Sequence, residues 1–533
     1  MQFKDQKLIY FSEFDCFYSE FLPVTQYGKA AKADRLFYTD AEKLEEQFDL
    51  TGIIMPAVKD RPRNDKIRFH LRAIPKIDLS PDSLRTLTGL FLIKEFLENL
   101  YALSGLLTKQ QSEAFGLAWR SEELLSMLKK GQTFGGGFSV SSVYDENLAL
   151  IREKLRLSVE NIKSIKKEKL SLILRKYGLD FKNRDFLIIP CDGRGGPELF
   201  TEPFDRGRIM IRPVFGDLYI QASEEHEKLR EEERKAEKAV AGKLAERTAA
   251  EAETLRGYEK AVRQLDLSLE RARLALKYDM RRPAVDLPEG LLLKNGRFLP
   301  LQERINKAGW KYTALDADFR GKTNIISGSN MGGKTVVLKT VAFMQLAAQS
   351  AFFVPAETFR TRLYDSLSFI GGISSDKAKG LSSFGLEIRE FADNYERLDT
   401  QSAMLLIDEF ARTTNIDEGF ALFKAAVEEL GNKDAFTLAA THFSGMSVGK
   451  SSNFIMRGFD SEAFSDYFRA NKNLPVSDRL TLINNFMRYE LIPASSTALT
   501  GDALKIAGIL GIEEKIIRRA EKIMEEQRCS KVN

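Results

Sequence analysis

The chain has 533 residues, more than the roughly 250–300 at which a single hydrophobic core stops growing, so two to four domains are expected. Hydrophobic residues make up 43% and charged residues 29%, with 36 glycines and 15 prolines, which excludes low-complexity and collagen-like proteins. The net charge of +4 comes from 80 basic and 76 acidic residues and neither requires nor excludes a nucleic-acid partner.

Few residues are available for disulfides or soft metal sites. The cysteines Cys16, Cys191 and Cys529 are scattered and odd in number, which argues against a disulfide framework or a zinc ribbon and for a reducing cytoplasm. Three histidines cannot build a histidine-based metal centre, so any metal is expected on oxygen ligands. No apolar run approaches the ~18 residues of a membrane span and no signal peptide is visible, so a cytoplasmic protein without a membrane partner is expected.

Residues 1–145 predict a helical core-like domain. Ser80-Pro81-Asp82 is typical of a helix start, and apolar residues follow at helical spacing up to Leu100. The glycines of residues 131–137 end this part of the chain. Because no P-loop lysine follows them, a connector is favoured over a phosphate site.

Residues 146–282 predict two long lever helices that flank a clamp-like tip at about residues 183–222. Residues 146–179 favour one helix, 186–190 and 209–211 favour strands, and 223–281 favour a second helix of about 85 Å with a coiled-coil seam from Leu255 to Leu276. Acidic and basic residues alternate on the outer face, which favours a solvated surface over a nucleic-acid patch.

Residues 283–533 predict an α/β domain. Pro283 is expected to stop the second long helix, and from about Leu287 short apolar runs alternate with helical stretches. This alternation is typical of a mostly parallel sheet covered by helices.

A phosphate-binding motif lies in this third part. The strand Asn324-Ile325-Ile326-Ser327 precedes Gly328-Ser329-Asn330-Met331-Gly332-Gly333-Lys334-Thr335, and a helix follows, which is the context that G-x-x-x-x-G-K-[ST] requires. Glycines let backbone N–H groups surround the β-phosphate, Lys334 reaches the β- and γ-phosphate oxygens, and Thr335 ligates Mg²⁺. We therefore expect ATP and Mg²⁺ as ligands.

Two later strands end in polar residues that complete such a site. The apolar strand from Ala403 ends at Asp408 and Glu409, and these carboxylates are expected to hold Mg²⁺ and to polarise the attacking water, respectively. The next strand ends before His442, which can contact the γ-phosphate. The alternatives are a simple strand-to-loop transition and a structural histidine.

At this point the chain resembles the MutS family. The resemblance rests on GSNMGGKT from Gly328, VPAE at 354–357, LSSFGLEI at 381–388, LLIDEFARTTN at 405–415 and ATHF at 440–443, in the order of the MutS ATPase domain. It implies a P-loop, ABC-type α/β ATPase domain after a helical core with lever helices and a clamp.

The resemblance also implies roles for single residues. Asn330 would help to position the γ-phosphate or the water, and Tyr312 would stack on adenine. Ser382 would reach the nucleotide of a second subunit, in a homodimer or a MutS-like heterodimer, although its sequence context also fits a helix N-cap. The helix-turn-helix pattern at about 499–526 is interpreted as a dimerisation hairpin, with DNA binding as the alternative.

The chain also departs from the family pattern. Ala411-Arg412-Thr413-Thr414 replaces the usual Gly-Arg-Gly-Thr, which reduces backbone freedom there. Fewer residues precede the P-loop than in mismatch sensors, so no mismatch-reading domain is expected, and Phe11-Ser12-Glu13 is taken as a chance match to their Phe-x-Glu wedge. No nuclease domain is expected after the hairpin.

Two functions from different classes fit these observations. The first is a dimeric ATPase that clamps DNA by shape rather than by mismatch, in mismatch repair or recombination. The second is an ATP-driven remodeller of a protein client, such as a reactivase of a cobalamin-dependent aminomutase. A structural SMC-like or ABC-type ATPase is disfavoured by Asn330-Met331. The discriminating feature is charge at the tip, where five arginines face six acidic residues: Arg184, Arg194, Arg206, Arg208 and Arg212 against Asp185, Asp192, Glu198, Glu202, Asp205 and Asp217.

Overall fold

The chain forms two compact contact units. The computed structural model describes residues 5–131, 139–182, 184–328, 332–372, 383–412, 414–443, 451–460, 463–464, 486–494 and 502–530. One unit joins residues 1–66 to 262–533, and the other comprises residues 67–261. These units are defined by contacts and do not test the domain boundaries predicted at 145/146 and 282/283, which stay a prediction.

The elements of the first half of the chain are mainly helical. They are α1 (Gln6–Phe11), α2 (Phe14–Ser19), α3 (Gln26–Ala33), α4 (Ala41–Lys59), α5 (Arg61–Ala73), α6 (Pro81–Leu84), α7 (Leu87–Leu106), α8 (Lys109–Ala114), α9 (Glu122–Lys129), a 3-10 turn (Ser142–Tyr144), α10 (Glu146–Tyr177), β1 (Leu187–Pro190), β2 (Leu199–Asp205), β3 (Arg208–Pro213), α11 (Asp217–Ala250) and α12 (Ala252–Lys277).

The second half alternates strands and helices. Its elements are β4 (Leu291–Gly296), α13 (Leu299–Lys307), β5 (Leu315–Phe319), β6 (Thr323–Ser327), α14 (Lys334–Gln349), β7 (Thr358–Arg360), β8 (Ser366–Gly371), α15 (Ser383–Arg397), β9 (Ala403–Asp408), α16 (Ile416–Leu430), β10 (Ala435–Ala440), β11 (Ser452–Phe459), β12 (Met487–Pro493), α17 (Asp502–Ile509) and α18 (Glu514–Ser530).

Local capping sets the ends of the predicted helices. The side chain of Ser80 accepts a hydrogen bond from the backbone N–H of Ser83 at the start of α6. The Asp145 side chain caps α10 in the same way through Leu148 N–H, and Gly178 ends α10 in the left-handed region at φ 66°. The predicted helix starts at Ser80 and at residue 146 are confirmed. However, α6 ends at Leu84, and the apolar residues up to Leu100 lie on a separate helix, α7, that Thr86 caps.

The predicted continuous helix over 223–281 is wrong. The helical segment begins earlier, at Asp217, and it is interrupted between α11 and α12 at Glu251, which has φ −96° and ψ 9°. No glycine or proline marks the interruption; instead Ser121 Oγ donates a hydrogen bond of 2.6 Å to the Glu251 carboxylate. Because α12 ends at Lys277, Pro283 is not the stop signal.

In the unit of residues 67–261, α10 and α11 pack along each other and carry a small sheet. Arg152 on α10 forms ion pairs with Glu233 at 2.8 Å and Glu237 at 2.6 Å on α11. The sheet has the antiparallel order β1-β3-β2. We call β1, β2 and β3 the tip sheet. Its inner face packs against the end of α10 around Ile173 and Phe181.

The unit of residues 1–66 and 262–533 contains a six-stranded sheet in the order β12-β11-β6-β10-β9-β8, which we call the central sheet. Its strands are parallel except for β12, which pairs antiparallel with β11. The predicted mostly parallel sheet is therefore confirmed. The smaller sheet β5-β4-β7 is antiparallel, and α14 is buried over most of its length.

The first residues of the chain pack into this same unit. The Phe11 ring stacks on Phe369 of β8 with centroids 3.6 Å apart, and Phe17 meets Phe343 of α14 at 5.4 Å. Glu13 forms ion pairs with Arg304 at 2.7 Å and Lys339 at 2.8 Å. The Phe11-Ser12-Glu13 sequence is thus packed into this unit, and its interpretation as a chance match stays a prediction.

Candidate functional site

The residues of interest meet at the carboxyl edge of the central sheet, because three neighbouring parallel strands end there. In the register of β6, β10 and β9, Ile326 lies beside Ala440 and Ala440 lies beside Asp408. Backbone hydrogen bonds of 2.9 Å continue the pairing from Thr441 to Ile326 and from Glu409 to Ala440. The P-loop, the Asp-Glu pair and the Thr-His pair therefore lie along one edge.

The described part of the P-loop turns sharply into α14. Gly328 has φ 136° and Gly333 has φ 90°, both in the region that favours glycine. Gly332 is buried beside them, and α14 begins at Lys334. The predicted nucleotide-binding residues Ser329, Asn330 and Met331 lie outside the described residues.

The Lys334 side chain curls back over the loop. Its Nζ donates a hydrogen bond of 2.7 Å to the carbonyl of Gly328, and the residue is 4% exposed. Burial lowers the pKa of the Lys334 ammonium, while the nearby carboxylates of Glu409 and Asp408 oppose this shift. An anion bound beside Lys334 would favour the charged ammonium, because a nearby opposite charge raises the pKa of a lysine.

Thr335 and Asp408 form the position expected for the metal. Thr335 Oγ donates a hydrogen bond of 2.9 Å to Oδ2 of Asp408, and Oδ1 of Asp408 is buried without a hydrogen-bond partner among the described residues. Burial raises the pKa of the Asp408 carboxyl, and the Thr335 hydroxyl opposes this shift.

This donor set fits Mg²⁺. The described residues contain no group of three or more His, Cys, Asp or Glu side chains suited to a metal. A hydroxyl and one carboxylate suit an ion that usually keeps several waters and takes phosphate oxygens.

Glu409 lies next to this pair and is engaged by a cation. Arg412 Nη1 donates a hydrogen bond of 2.6 Å to the Glu409 carboxylate, which is 18% exposed. The backbone of Glu409 is left-handed at φ 53°. His442 is exposed at the end of the neighbouring strand, with its ring 4.4 Å from that of Phe443. Its contact with the γ-phosphate stays a prediction.

Ala411 keeps the conformation that a glycine would favour. It has φ 60°, and it occupies the first of the two positions at which the MutS pattern has glycine. A residue with a β-carbon is strained in this left-handed conformation. The second position, Thr413, lies outside the described residues.

One residue beside the P-loop was missed from the sequence. A β-carbon placed on Gly333 would lie 3.2 Å from Cδ1 of Tyr489 on β12, so the Tyr489 ring packs directly against the P-loop glycine. Burial raises the pKa of the Tyr489 hydroxyl. No motif marks this tyrosine, and only the antiparallel pairing of β12 with β11 brings it to the loop.

Tyr312, predicted to stack on adenine, is tied to α13. Its hydroxyl accepts a hydrogen bond of 2.7 Å from the backbone N–H of Phe298, which precedes that helix. Burial raises the pKa of the Tyr312 hydroxyl. Its contact with adenine stays a prediction, and Ser382, predicted to act in trans, lies outside the described residues.

Comparison with known proteins identifies one part of the chain. The model of MutS domain V matches residues 324–528. This part of the chain is a MutS domain V. The DNA mismatch repair protein MutS of Thermus aquaticus is 28% identical over 292 residues, covering 55% of this chain and 33% of that protein.

Two further MutS proteins are similar over shorter shares of their length. The one from Carboxydothermus hydrogenoformans is 33% identical over 193 residues, covering 36% of this chain and 23% of that protein. The one from Natronomonas pharaonis is 27% identical over 282 residues, covering 53% and 30%. The alignments thus span a third or less of these relatives, and the MutS resemblance predicted from the motifs is confirmed for residues 324–528.

Proposed function

We propose that this chain hydrolyses ATP with Mg²⁺ at the carboxyl edge of the central sheet. The arrangement of Thr335 against Asp408 carries the proposal, because Oδ1 of that carboxylate is buried and unpartnered within the described part of the chain. Mg²⁺ held there would neutralise charge that develops on the β- and γ-phosphate oxygens. Lys334 would bind the same oxygens at the N-terminus of α14.

Glu409 is the residue proposed to orient and deprotonate the attacking water. General-base assistance of this kind contributes roughly 10²–10⁴-fold. Arg412 donates to Oε2 of this carboxylate, and a carboxylate has a second oxygen that can accept a hydrogen bond from water. Asn330 and His442 are proposed to contact the γ-phosphate, and Tyr312 and Tyr489 are the candidates for contact with the nucleotide base.

The site proposal is tested by three variants. Lys334→Ala is expected to reduce ATP turnover at least ~100-fold, the usual size of one lost transition-state contact. Glu409→Gln is expected to bind ATP normally but to retain it unhydrolysed. Lys307→Ala, an exposed α13 lysine paired with Glu303, is the matched control and should turn over ATP like the wild type. Unchanged turnover in both site variants would contradict the assignment.

We propose that the active form is a homodimer or a MutS-like heterodimer, with Ser382 of one subunit reaching the nucleotide of the other. The hairpin of α17 and α18 supports a dimer because it exposes Leu510, Ile512, Ile516, Ile523 and Met524. Ile516→Glu is expected to shift sedimentation toward the monomer. An unchanged oligomer would remove the hairpin from the interface.

DNA binding by shape, in mismatch repair or recombination, is the first candidate for what this ATPase acts on. It is supported by the similarity to DNA mismatch repair proteins. Affinity for branched DNA, measured by fluorescence anisotropy, should be detectable at about 50 mM salt and should fall steeply with added salt. Absence of binding at that salt concentration would favour the second candidate.

A protein client, such as a cobalamin-dependent aminomutase, is the second candidate, and the tip sheet favours it. Three tip arginines are paired with acidic neighbours: Arg194 with Asp192, Arg208 with Asp205, and Arg212 with Glu202. The same region exposes Phe186, Ile188, Phe200 and Phe204. Apolar surface with neutralised arginines suits a protein better than a phosphate backbone.

The client hypothesis is tested by removing the apolar surface. A protein that the wild type captures should no longer be captured by the double variant Phe200→Ser plus Phe204→Ser. When purified and added back, the captured protein should change the ATP turnover of the wild type but not that of the double variant. Capture that survives both substitutions would exclude the tip sheet as the binding surface.

Among the described residues no helix is long and apolar enough to cross a bilayer, and a cytoplasmic location stays a prediction.

A further inference from the structure

The segment that follows the Asp-Glu pair is held in a conformation that its residues do not favour. Glu409 has φ 53° and Ala411 has φ 60°, and neither is glycine. Left-handed backbone at such residues persists only where the surroundings fix it, and this is frequent at active sites. The question is which neighbour fixes it here.

Helix α15 supplies that neighbour through two residues one turn apart. A carboxylate oxygen of Glu387 accepts a hydrogen bond of 3.2 Å from the backbone N–H of Ala411. Phe391 packs its ring against Phe410, with centroids 5.1 Å apart. Residues four apart share one face of a helix, so one face of α15 contacts two consecutive residues of this segment.

The other side of the segment is closed by α16. A β-carbon on Gly419 would lie 2.8 Å from the carbonyl oxygen of Ala411, so the helix backbone approaches that carbonyl closely. Phe410 and Ala411 are both 1% exposed. Ala411 therefore has its N–H fixed by Glu387 and its carbonyl confined by α16, while the carboxylate of Glu409 is close enough to Lys334 and Asp408 to affect the pKa of both.

We propose that Glu387 is a positioning residue for ATP hydrolysis: by holding the N–H of Ala411, its carboxylate keeps Glu409 oriented toward the attacking water. The inference rests on the proposed ATPase function. It also gives α15 a direct connection to Glu409, and α15 directly follows Ser382, the residue proposed to act in trans. Helix movement on dimer contact would then change the orientation of Glu409.

Removal of the acceptor should affect the chemical step and not nucleotide binding. Glu387→Ala is expected to lower kcat about 10–100-fold, while the affinity for a fluorescent ATP analogue stays within twofold of wild type. Glu387→Gln keeps an oxygen that can accept the same hydrogen bond and should recover most of kcat. Glu390→Ala, on the same helix but paired with Lys7, is the control and should retain wild-type kcat.

Adding Ala411→Gly to Glu387→Ala separates positioning from general damage. Glycine adopts the left-handed region without strain, so the segment should return to its native conformation and kcat should rise at least threefold. Hydrogen exchange of the amides of residues 409–412 in nucleotide-free protein should be at least tenfold faster in Glu387→Ala than in wild type. This readout does not depend on hydrolysis.

The outcomes are distinguishable. Wild-type kcat in Glu387→Ala, together with loss of turnover in Lys334→Ala, overturns the inference and leaves the ATPase proposal intact. If the wild type and Lys334→Ala hydrolyse ATP at the same rate, the ATPase proposal is overturned, and the inference with it. Unchanged exchange at residues 409–412, an equal loss in Glu390→Ala, or a parallel loss of nucleotide affinity also overturns the positioning role.

Discussion

The carboxyl edge of the central sheet and the tip sheet arrange their charges in opposite ways. At the edge, Asp408 keeps one oxygen buried without a partner among the described residues, and Lys334 is buried at the start of α14 with its Nζ on the carbonyl of Gly328. At the tip, Arg194, Arg208 and Arg212 each lie beside an acidic residue at the surface. The edge keeps a carboxylate oxygen available for a ligand, whereas the tip neutralises its own charge.

The backbone is also strained at the carboxyl edge of the central sheet and unstrained in the turn of the tip sheet. The turn between β2 and β3 of the tip sheet places Gly207 at φ 94°, where glycine is unstrained. The segment after Asp408 places Glu409 and Ala411 at φ 53° and 60° instead. Strain and unsatisfied polar atoms both destabilise a fold and are retained where function uses them. Chemistry is therefore expected at the edge and contact with a partner at the tip.

The largest expected effect comes from Asp408→Asn. Turnover should fall at least ~100-fold because the proposed Mg²⁺ site would lose its carboxylate, as measured over a Mg²⁺ titration. The same substitution should nevertheless make the nucleotide-free protein more stable, by about 0.5–2 kcal/mol at pH 7, in thermal or urea unfolding. If Asp408→Asn lowered the stability as well as the activity, the idea that the buried Asp408 carboxylate destabilises the fold would be contradicted.

The pH dependence of that gain follows from the direction of the pKa shift. Burial raises the folded-state pKa of Asp408 above its usual value of 3.8. The folded protein therefore binds the proton more tightly, and stability from this group falls as pH rises through the interval above 3.8. The difference between Asp408→Asn and wild type should grow as pH rises above 3.8 and should disappear below about pH 3.8.

A smaller effect is expected at the tip when its acidic residues are neutralised. Asp192→Asn, Glu202→Gln and Asp205→Asn together free three arginines, so affinity for branched DNA should rise about tenfold at low salt. The slope of log K against log salt should steepen by up to about 3. Neutralising Glu153, Glu160 and Glu227 away from the tip sheet is the control. Equal affinity in wild type and tip variant would mean that the ion pairs do not suppress DNA binding.

Ion pairs provide a third and weaker test. Glu13 is largely buried between Arg304 and Lys339, and its hydrogen bond with Arg304 lowers its pKa. Glu13→Gln should cost about 1 kcal/mol at pH 7, and the difference should shrink as pH falls below the usual carboxyl range. Asp205→Asn at the exposed tip should leave the unfolding midpoint unchanged. Equal effects would contradict the contrast between the two regions.

The smallest effect is expected for Ala411→Gly alone. Glycine relieves the left-handed strain, and the more flexible unfolded chain offsets part of the gain, so a net stabilisation of about 0.5–1 kcal/mol is expected in urea unfolding. Ala421→Gly, at an exposed position inside α16, should instead destabilise by a similar amount. Destabilisation by both substitutions would mean that Ala411 is not strained.

The sequence predicted the central sheet and the site largely from local patterns. A P-loop, a strand ending at Asp408 and a strand ending before His442 are contiguous motifs, and parallel strands bring their ends together. The interruption at Glu251 could not be predicted from the sequence, because no glycine or proline marks it. It is accompanied instead by a hydrogen bond from Ser121, which is distant along the chain. Tyr489 and Glu387 were missed because strand pairing and helix packing, rather than spacing along the chain, bring them to Gly333 and Ala411.

The packing of the first residues against the P-loop helix has a consequence for synthesis. Glu13 and Lys339 are 326 positions apart in the chain. At about 5–20 residues per second, the ribosome completes α14 on the order of tens of seconds after the aromatic residues of α1 and α2 have emerged. During that time Phe11, Phe14 and Phe17 lack their partners on β8 and α14, and transiently exposed apolar surface of this kind favours aggregation or chaperone binding.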